Sequence, residues 1–179
     1  MHTATRNLEN DHVYILRLID LMEKMVINCT TEYKHMEMVV QLIKNYADGF
    51  HHAKEEQLLF PLLVKKGFSN EHGPVSVMLH EHVEGRQFVK KMSDGLVIYN
   101  SGDTSALPII YENMQGYIDL LRAHIGKENN VLFVMANKAL SDNDQAELLD
   151  KFITIEKNYE HGRVDEFILD IEGLEACYE

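Results

Sequence analysis

Cysteine is scarce in this chain, and so are basic side chains and long apolar runs. The 179 residues contain two cysteines, Cys29 and Cys177, in no C-x-x-C pattern. That excludes a disulfide framework and points to a reducing cytoplasm. Lysine and arginine number 17 against 29 acidic residues, a net charge of -12. A surface for nucleic acid or anionic membrane is excluded on that balance. No apolar run reaches the ~18 residues of a membrane span. Asn7, Glu9 and Asp11 interrupt the start, so no signal peptide is expected. What remains is a chain of ordinary hydrophobic content, long enough to form one domain, 1–179, around a sizeable core.

Apolar residues recur every three or four positions, the helical period. Leu8, His12, Ile15, Ile19, Met22 and Val26 predict a first helix over about 5–27. After a break at 28–30, Thr30 or Thr31 can cap a second helix over about 31–66. Its stripe is Met36, Val40, Ile43, Ala47, His51, Glu55, Leu58 and Leu62, with a kink or break expected near Pro61 and an end at Gly67. Pro74 opens a third helix bearing Val75, Met78, His82, Gly85, Val89 and Met92, and 94–107 reads as a loop. Gly85 is either a close helix contact or space left for a small ligand. Pro108 opens a fourth helix with Ile110, Tyr117, Leu121, His124, Glu128, Val131 and Met135. Ser141 to Asp144 caps a fifth, about 143–158, ended by His161-Gly162, and a short helix covers about 164–177. The expected fold is all-α: an antiparallel up-down four-helix bundle over about 5–140, with short C-terminal helices over 141–179 that cover it or join a subunit contact. His2, His35, His72 and His161 fall in surface contexts.

The polar residues on those stripes carry the chemistry. His51 and Glu55 lie four apart, hence on one helix face. One such pair is ambiguous, but His124 and Glu128 repeat it with flanks in register: Lys54 with Lys127, Leu59 with Leu132, Phe60 with Phe133. Asp11-His12-Val13 returns as Glu81-His82-Val83. The chain is an internal duplication of a helix pair. The duplication selects His51 and Glu55 over His52 and Glu56, and His82 over His80. A buried glutamate requires a partner or a cation. Four histidines and two glutamates exceed one tetrahedral zinc, and two ions with mixed imidazole and carboxylate ligands favour iron first and manganese second.

In these motifs, Asp11-His12, His51-x-x-x-Glu55-Glu56, Glu81-His82-x-x-x-Arg86 and His124-x-x-x-Glu128, the chain resembles the hemerythrin-like (HHE cation-binding) family of bacterial type. The resemblance implies an oxo- or hydroxo-bridged non-haem di-iron centre. His12, His51, His82 and His124 would be terminal ligands, with Glu55 and Glu128 bridging. Oxygen-carrying hemerythrins place two histidines four apart on the third helix. Here Met78 and Arg86 flank His82 at that distance, leaving one ligand fewer unless His80, His52 or a tyrosine such as Tyr117 substitutes. The implied function is binding of O2 or NO for storage, delivery or sensing. The alternative is a di-iron enzyme acting on peroxide or nitric oxide in oxidative or nitrosative stress. Some bacterial relatives repair iron-sulfur centres, and their cysteine-bearing N-terminal domain is not expected here, since His12 lies near the start. No catalytic residue is singled out, because Glu56 and Glu81 should point off the core face. The oligomeric state is open.

Overall fold

The computed structural model describes residues 3–158 and 164–178. Helix α1 is Ala4–Ile27, capped by Thr3, whose side chain accepts from the Arg6 backbone N–H. Helix α2 is a continuous helical run over 33–65. It comprises Tyr33–Leu42, the π-helical Ile43–His52, a second π-helical stretch Glu55–Leu59, and Phe60–Lys65. Helix α3 is Pro74–Asn100. Helix α4, over 107–139, comprises Leu107–Lys127, the π-helical Glu128–Leu132 and Phe133–Ala139. Helices α5, Asp142–Asn158, and α6, Val164–Glu175, follow. Helix α1 packs on α2 and α4, and α3 on the same two, which closes the four-helix bundle. Among the described residues there is no strand, and no helix is long and apolar enough to cross a membrane.

The π-helical stretches correct the expected apolar stripe. Each π turn takes up an extra residue, so the buried face slips by one position beyond it. Leu59, Phe60 and Leu63 are buried where Leu58 and Leu62 were expected. In α4, Leu132, Phe133 and Ala136 are buried, while Val131 and Met135 are exposed. Both short π stretches start at a glutamate of the repeat, Glu55 and Glu128, so the duplication extends to backbone geometry. Pro61 sits in the first turn after the upstream π stretch, and the helical run continues through it without a break.

Other boundaries shift for local reasons. Helix α3 continues past 94 to Asn100 because Leu96 is buried and Tyr99 packs against the core. Neither Thr30 nor Thr31 caps α2. Their carbonyls accept from the hydroxyls of Tyr111 and Tyr99, and Glu32 takes the cap position without a side-chain bond. Gly67 does end α2, at φ 101°. Ser141 and Asp144 bond reciprocally at the start of α5, each backbone N–H donating to the other's side chain. His72 is exposed, whereas His35 is half-buried with its Nδ1 2.9 Å from the Tyr178 hydroxyl. His2, His161 and the stop at His161-Gly162 lie outside the described residues.

The core is divided. One apolar cluster, including Ile19, Met22, Met36, Tyr46, Met92 and Met114, fills the end near the 28–32 connection. A second, including Leu8, Leu63, Met78, Phe133, Leu148 and Phe152, fills the other end. Phe167, Ile171 and Leu174 of α6 join the first cluster, and Leu148 and Phe152 of α5 join the second. The C-terminal helices therefore cover the bundle. Between the two clusters lies a buried polar layer.

Candidate metal centre

His12, His51, Glu55, His82, His124 and Glu128 all meet in that layer, each at most 1% exposed. Helix α1 supplies one, α2 two, α3 one and α4 two. His12 Nε2 lies 3.0 Å from His51 Nε2, and His82 Nε2 lies 3.2 Å from His124 Nε2. Two nitrogens about 2.1 Å from one ion at a right angle would stand about 3.0 Å apart. Glu128 spans the layer, with Oε2 3.2 Å from His12 Nε2 and Oε1 3.3 Å from His124 Nε2. Glu55 Oε2 lies between the other two rings, 3.7 Å from His51 Nε2 and 3.5 Å from His82 Nε2. The donors form two groups that could each hold an ion: His12, His51 and Glu128, and His52, Glu55, His82 and His124.

All four carboxylate oxygens of Glu55 and Glu128 are buried with no hydrogen-bond donor. An unpaired buried carboxylate costs several kcal/mol. Burial, followed by the charge of Glu128, pushes the Glu55 carboxyl well above its usual range. Burial also opposes charge on His124, but Glu128 and Glu81 outweigh it and push the imidazole up to about 9. Burial holds His51 and His82 below the ordinary histidine range. These shifts describe a site that lacks charge balance by itself. A cation between the carboxylates restores that balance, so the donor set fits a metal centre.

The outward ring nitrogens are fixed just as regularly. Nδ1 of His12 donates to Asn129 Oδ1 (2.8 Å), and that of His51 to Asp11 Oδ2 (3.1 Å). Nδ1 of His82 donates to Glu56 Oε1 (2.7 Å), and that of His124 to Glu81 Oε2 (2.9 Å). Each bond keeps a proton on Nδ1, so with a cation in the layer the Nε2 atoms are the ones left to face it, as metal-ligating histidines require. Glu56 is held down to about 2 by the hydrogen bond from His82, with Arg86 adding to it. Glu56 and Glu81 do leave the core face, yet they serve the site by orienting its rings. The repeat contained the clue, since Asp11 aligns with Glu81 and Glu56 with Asn129 at the same offsets as the histidines.

The second group opens to a cavity of about 320 Å³ between α2, α3 and α4. Its lining includes Ile43, His52, His82, Gly85, Tyr117 and Leu121, with Asp48 and Arg86 at the polar side. Arg86 binds both Asp48 (Nε–Oδ1 2.8 Å) and Glu56 (Nη2–Oε1 2.6 Å). His52, which the repeat passes over, is buried here and stacks on His82 with ring centroids 3.8 Å apart. The π-helical geometry of Ile43–His52 lets consecutive histidines, His51 and His52, both face the layer. His80 is exposed and takes no part. Tyr117 is buried and lines the cavity without belonging to either donor group. A Cβ at Gly85 would meet Tyr117 and Leu120 at 3.5 and 3.8 Å, ordinary contact, so Gly85 does not mark a tight crossing. The tight α3–α4 crossings are at Gly95 and Gly116, where a Cβ would press into Ile110 and Phe88.

Fold and site together define a helical-bundle cation-binding protein with a mixed imidazole and carboxylate centre. The chain matches the hemerythrin HHE cation-binding domain over residues 3–136 and belongs to that family. Among similar proteins are the iron-sulfur cluster repair protein YtfE of Pectobacterium atrosepticum, 37% identical over 89 residues, and that of Edwardsiella ictaluri, 33% identical over 89. The YtfE of Escherichia coli O157:H7 is 34% identical over 93 residues. Each match covers 48% of this chain and 40% of the relative, so the chain spans about two-fifths of the length of these curated relatives. No solved structure matches the chain.

Proposed function

We propose that this chain is a non-haem di-iron protein that takes up O2 or NO for storage, delivery or sensing. His12, His51, His82 and His124 would hold the ions through their Nε2 atoms, with the carboxylates of Glu55 and Glu128 supplying the remaining protein donors. The observation that carries this reading is the set of four donor-free carboxylate oxygens, each glutamate lying between histidines of both groups. Iron suits the donor set best and manganese second. The iron pair, when bound, supplies electrons to a small ligand and takes them back. The chain's own residues do the rest. Asp11, Asn129, Glu56 and Glu81 orient the rings, and the two apolar clusters exclude bulk water. The cavity beside His82 and His124 admits a small ligand from one side.

A second reading, a di-iron enzyme acting on peroxide or nitric oxide in stress defence, is favoured by the polar wall of that cavity. Asp48, Arg86, Glu81 and His52 place charge and hydrogen-bonding groups where a purely apolar pocket would suffice for diatomic uptake. The naming of relatives as repair proteins accords with a stress role. With a charge of -12 and two separate cysteines, we place the chain in the cytoplasm as one domain, without nucleic-acid or membrane partners. Metal analysis joined to optical spectra before and after O2, peroxide and NO tests both readings. The first expects about two irons per chain and reversible spectral change with O2 or NO. Turnover of peroxide or NO favours the second, and a single tight zinc with no iron uptake contradicts both.

A further inference from the structure

Lys54 is fully buried, although its ammonium carries charge. Its Nζ lies 2.6 Å from Asp11 Oδ2, 2.9 Å from Asn7 Oδ1 and 3.2 Å from Glu156 Oε1, and 4.2 Å from the centre of the Phe50 ring. Asp11 Oδ2 is the same atom that accepts from His51 Nδ1. One carboxylate oxygen is thus shared between a buried cation and the ring of a candidate metal ligand. The second anion on Lys54, Glu156, belongs to α5, outside the region that matches the family. Asn7 Nδ2 also donates to Glu156 Oε1 at 3.1 Å, and Phe152, one turn earlier in α5, is buried against this group.

The duplication supplies an internal control. Lys127, the counterpart of Lys54, pairs with Glu81, which accepts from His124. A lysine, an acid and a histidine therefore recur on both sides. Lys127 has a side chain 41% exposed to solvent, which stabilises its charge directly. Lys54 has no solvent and depends on protein anions. Without Glu156, Asp11 would be the only anion on this ammonium among the described residues, and its oxygen would be drawn from His51 toward Lys54.

We propose that α5 fixes the sealed half of the metal centre and that Glu156 is the positioning residue through which it does so. Glu156 anchors Lys54, Lys54 anchors Asp11, and Asp11 sets the tautomer and orientation of His51. This rests on the reading of His51 as an iron ligand. The test uses the full chain loaded anaerobically with ⁵⁷Fe(II), comparing wild type with Glu156→Gln and the charge-conserving Glu156→Asp. Mössbauer spectra report each iron, and a ferrous chelator in excess reports its release.

Glu156→Gln should still load two irons, but one should leave about ten-fold faster, the range seen when an outer partner of a metal-bound histidine is lost. The quadrupole doublet that changes should be the one Asp11→Asn changes, with Glu156→Asp nearer to wild type. Leu148→Ala, which loosens α5 away from Lys54, should lower the melting temperature and leave both doublets in place. Wild-type release and doublets in Glu156→Gln would overturn the proposal. So would Leu148→Ala reproducing the doublet change, because Glu156 would then matter only for packing. Retention of both irons by His51→Ala would instead show that the reading of His51 is wrong.

Discussion

The two halves of the candidate centre have matching histidine pairs in different surroundings. In the half built on His12 and His51, the outer partners are Asn129 and Asp11, and the nearby lysine is buried under α5. In the half built on His82 and His124, both partners are carboxylates, the lysine is half-exposed, and a cavity reaches the rings. Duplication produced the ligand symmetry, and side chains one shell further out removed it. On the proposed reading, one half would retain its ion and the other would expose its ion to a small ligand. Three of the four rings donate to a carboxylate, which raises the basicity of a ligating imidazole, and His12 donates to an amide oxygen instead.

The largest expected effect comes from removing the metal from both halves. Binding to the native state alone adds about 4 kcal/mol when free metal exceeds its dissociation constant a thousand-fold. A chain of this size should then melt about 10 °C lower when chelated, as followed by circular dichroism. Equal midpoints, with metal loss confirmed, would mean that the carboxylates do not face an ion. Next is the lysine pair. Lys54→Met should destabilise by about 3–5 kcal/mol, because Asp11 and Glu156 lose a buried partner. Lys127→Met should cost less than about 1 kcal/mol, since its ion pair faces water. Chemical denaturation of both variants measures the difference, and similar losses would erase the distinction between a sealed and an open half.

Smaller effects sharpen the comparison on the open side. His82→Ala should lose iron, whereas His52→Ala should keep two irons and alter the rate of NO uptake, measured by stopped-flow absorbance. If His52→Ala empties the site, His52 is a ligand and the repeat chose too few. Gly85→Leu should slow NO uptake with iron content unchanged, while Gly85→Ala should be close to neutral, because its Cβ meets only ordinary contacts. The smallest effect lies far from the centre, at the start of α5. Lys66 and Ser141 hold the Asp144 carboxyl down to about 2. A carboxylate lowered by folding stabilises above its unfolded value and loses that contribution as pH falls through the folded one. In metal-free chains the stability advantage over Asp144→Asn should therefore be present at about pH 6 and shrink from about pH 4 towards pH 2.

The bundle and the six inward side chains were legible in the sequence because both depend on helical period, and the duplication registers each residue against a copy. The stripes beyond Glu55 and Glu128 were not. A π turn changes the phase without a residue signature, and Glu128–Leu132 contains neither glycine nor proline. His52 was passed over for the same reason: with α-helical geometry it would turn away from His51's face. Asp11, Glu56, Glu81 and Asn129 were visible as repeat partners, but their use depends on side chains reaching across to a neighbouring helix. Glu156 lay beyond sequence reasoning, since a pairing with Lys54 over 102 residues leaves no local pattern.

Anomalous diffraction at the iron edge from crystals of the loaded protein tests the central claim most directly. The account predicts two peaks in the polar layer, about 3.5 Å apart. One should lie against His12 and His51, the other against His82 and His124, with Glu55 and Glu128 between them. A single peak, or a peak held by His52 with His82 turned away, would contradict it.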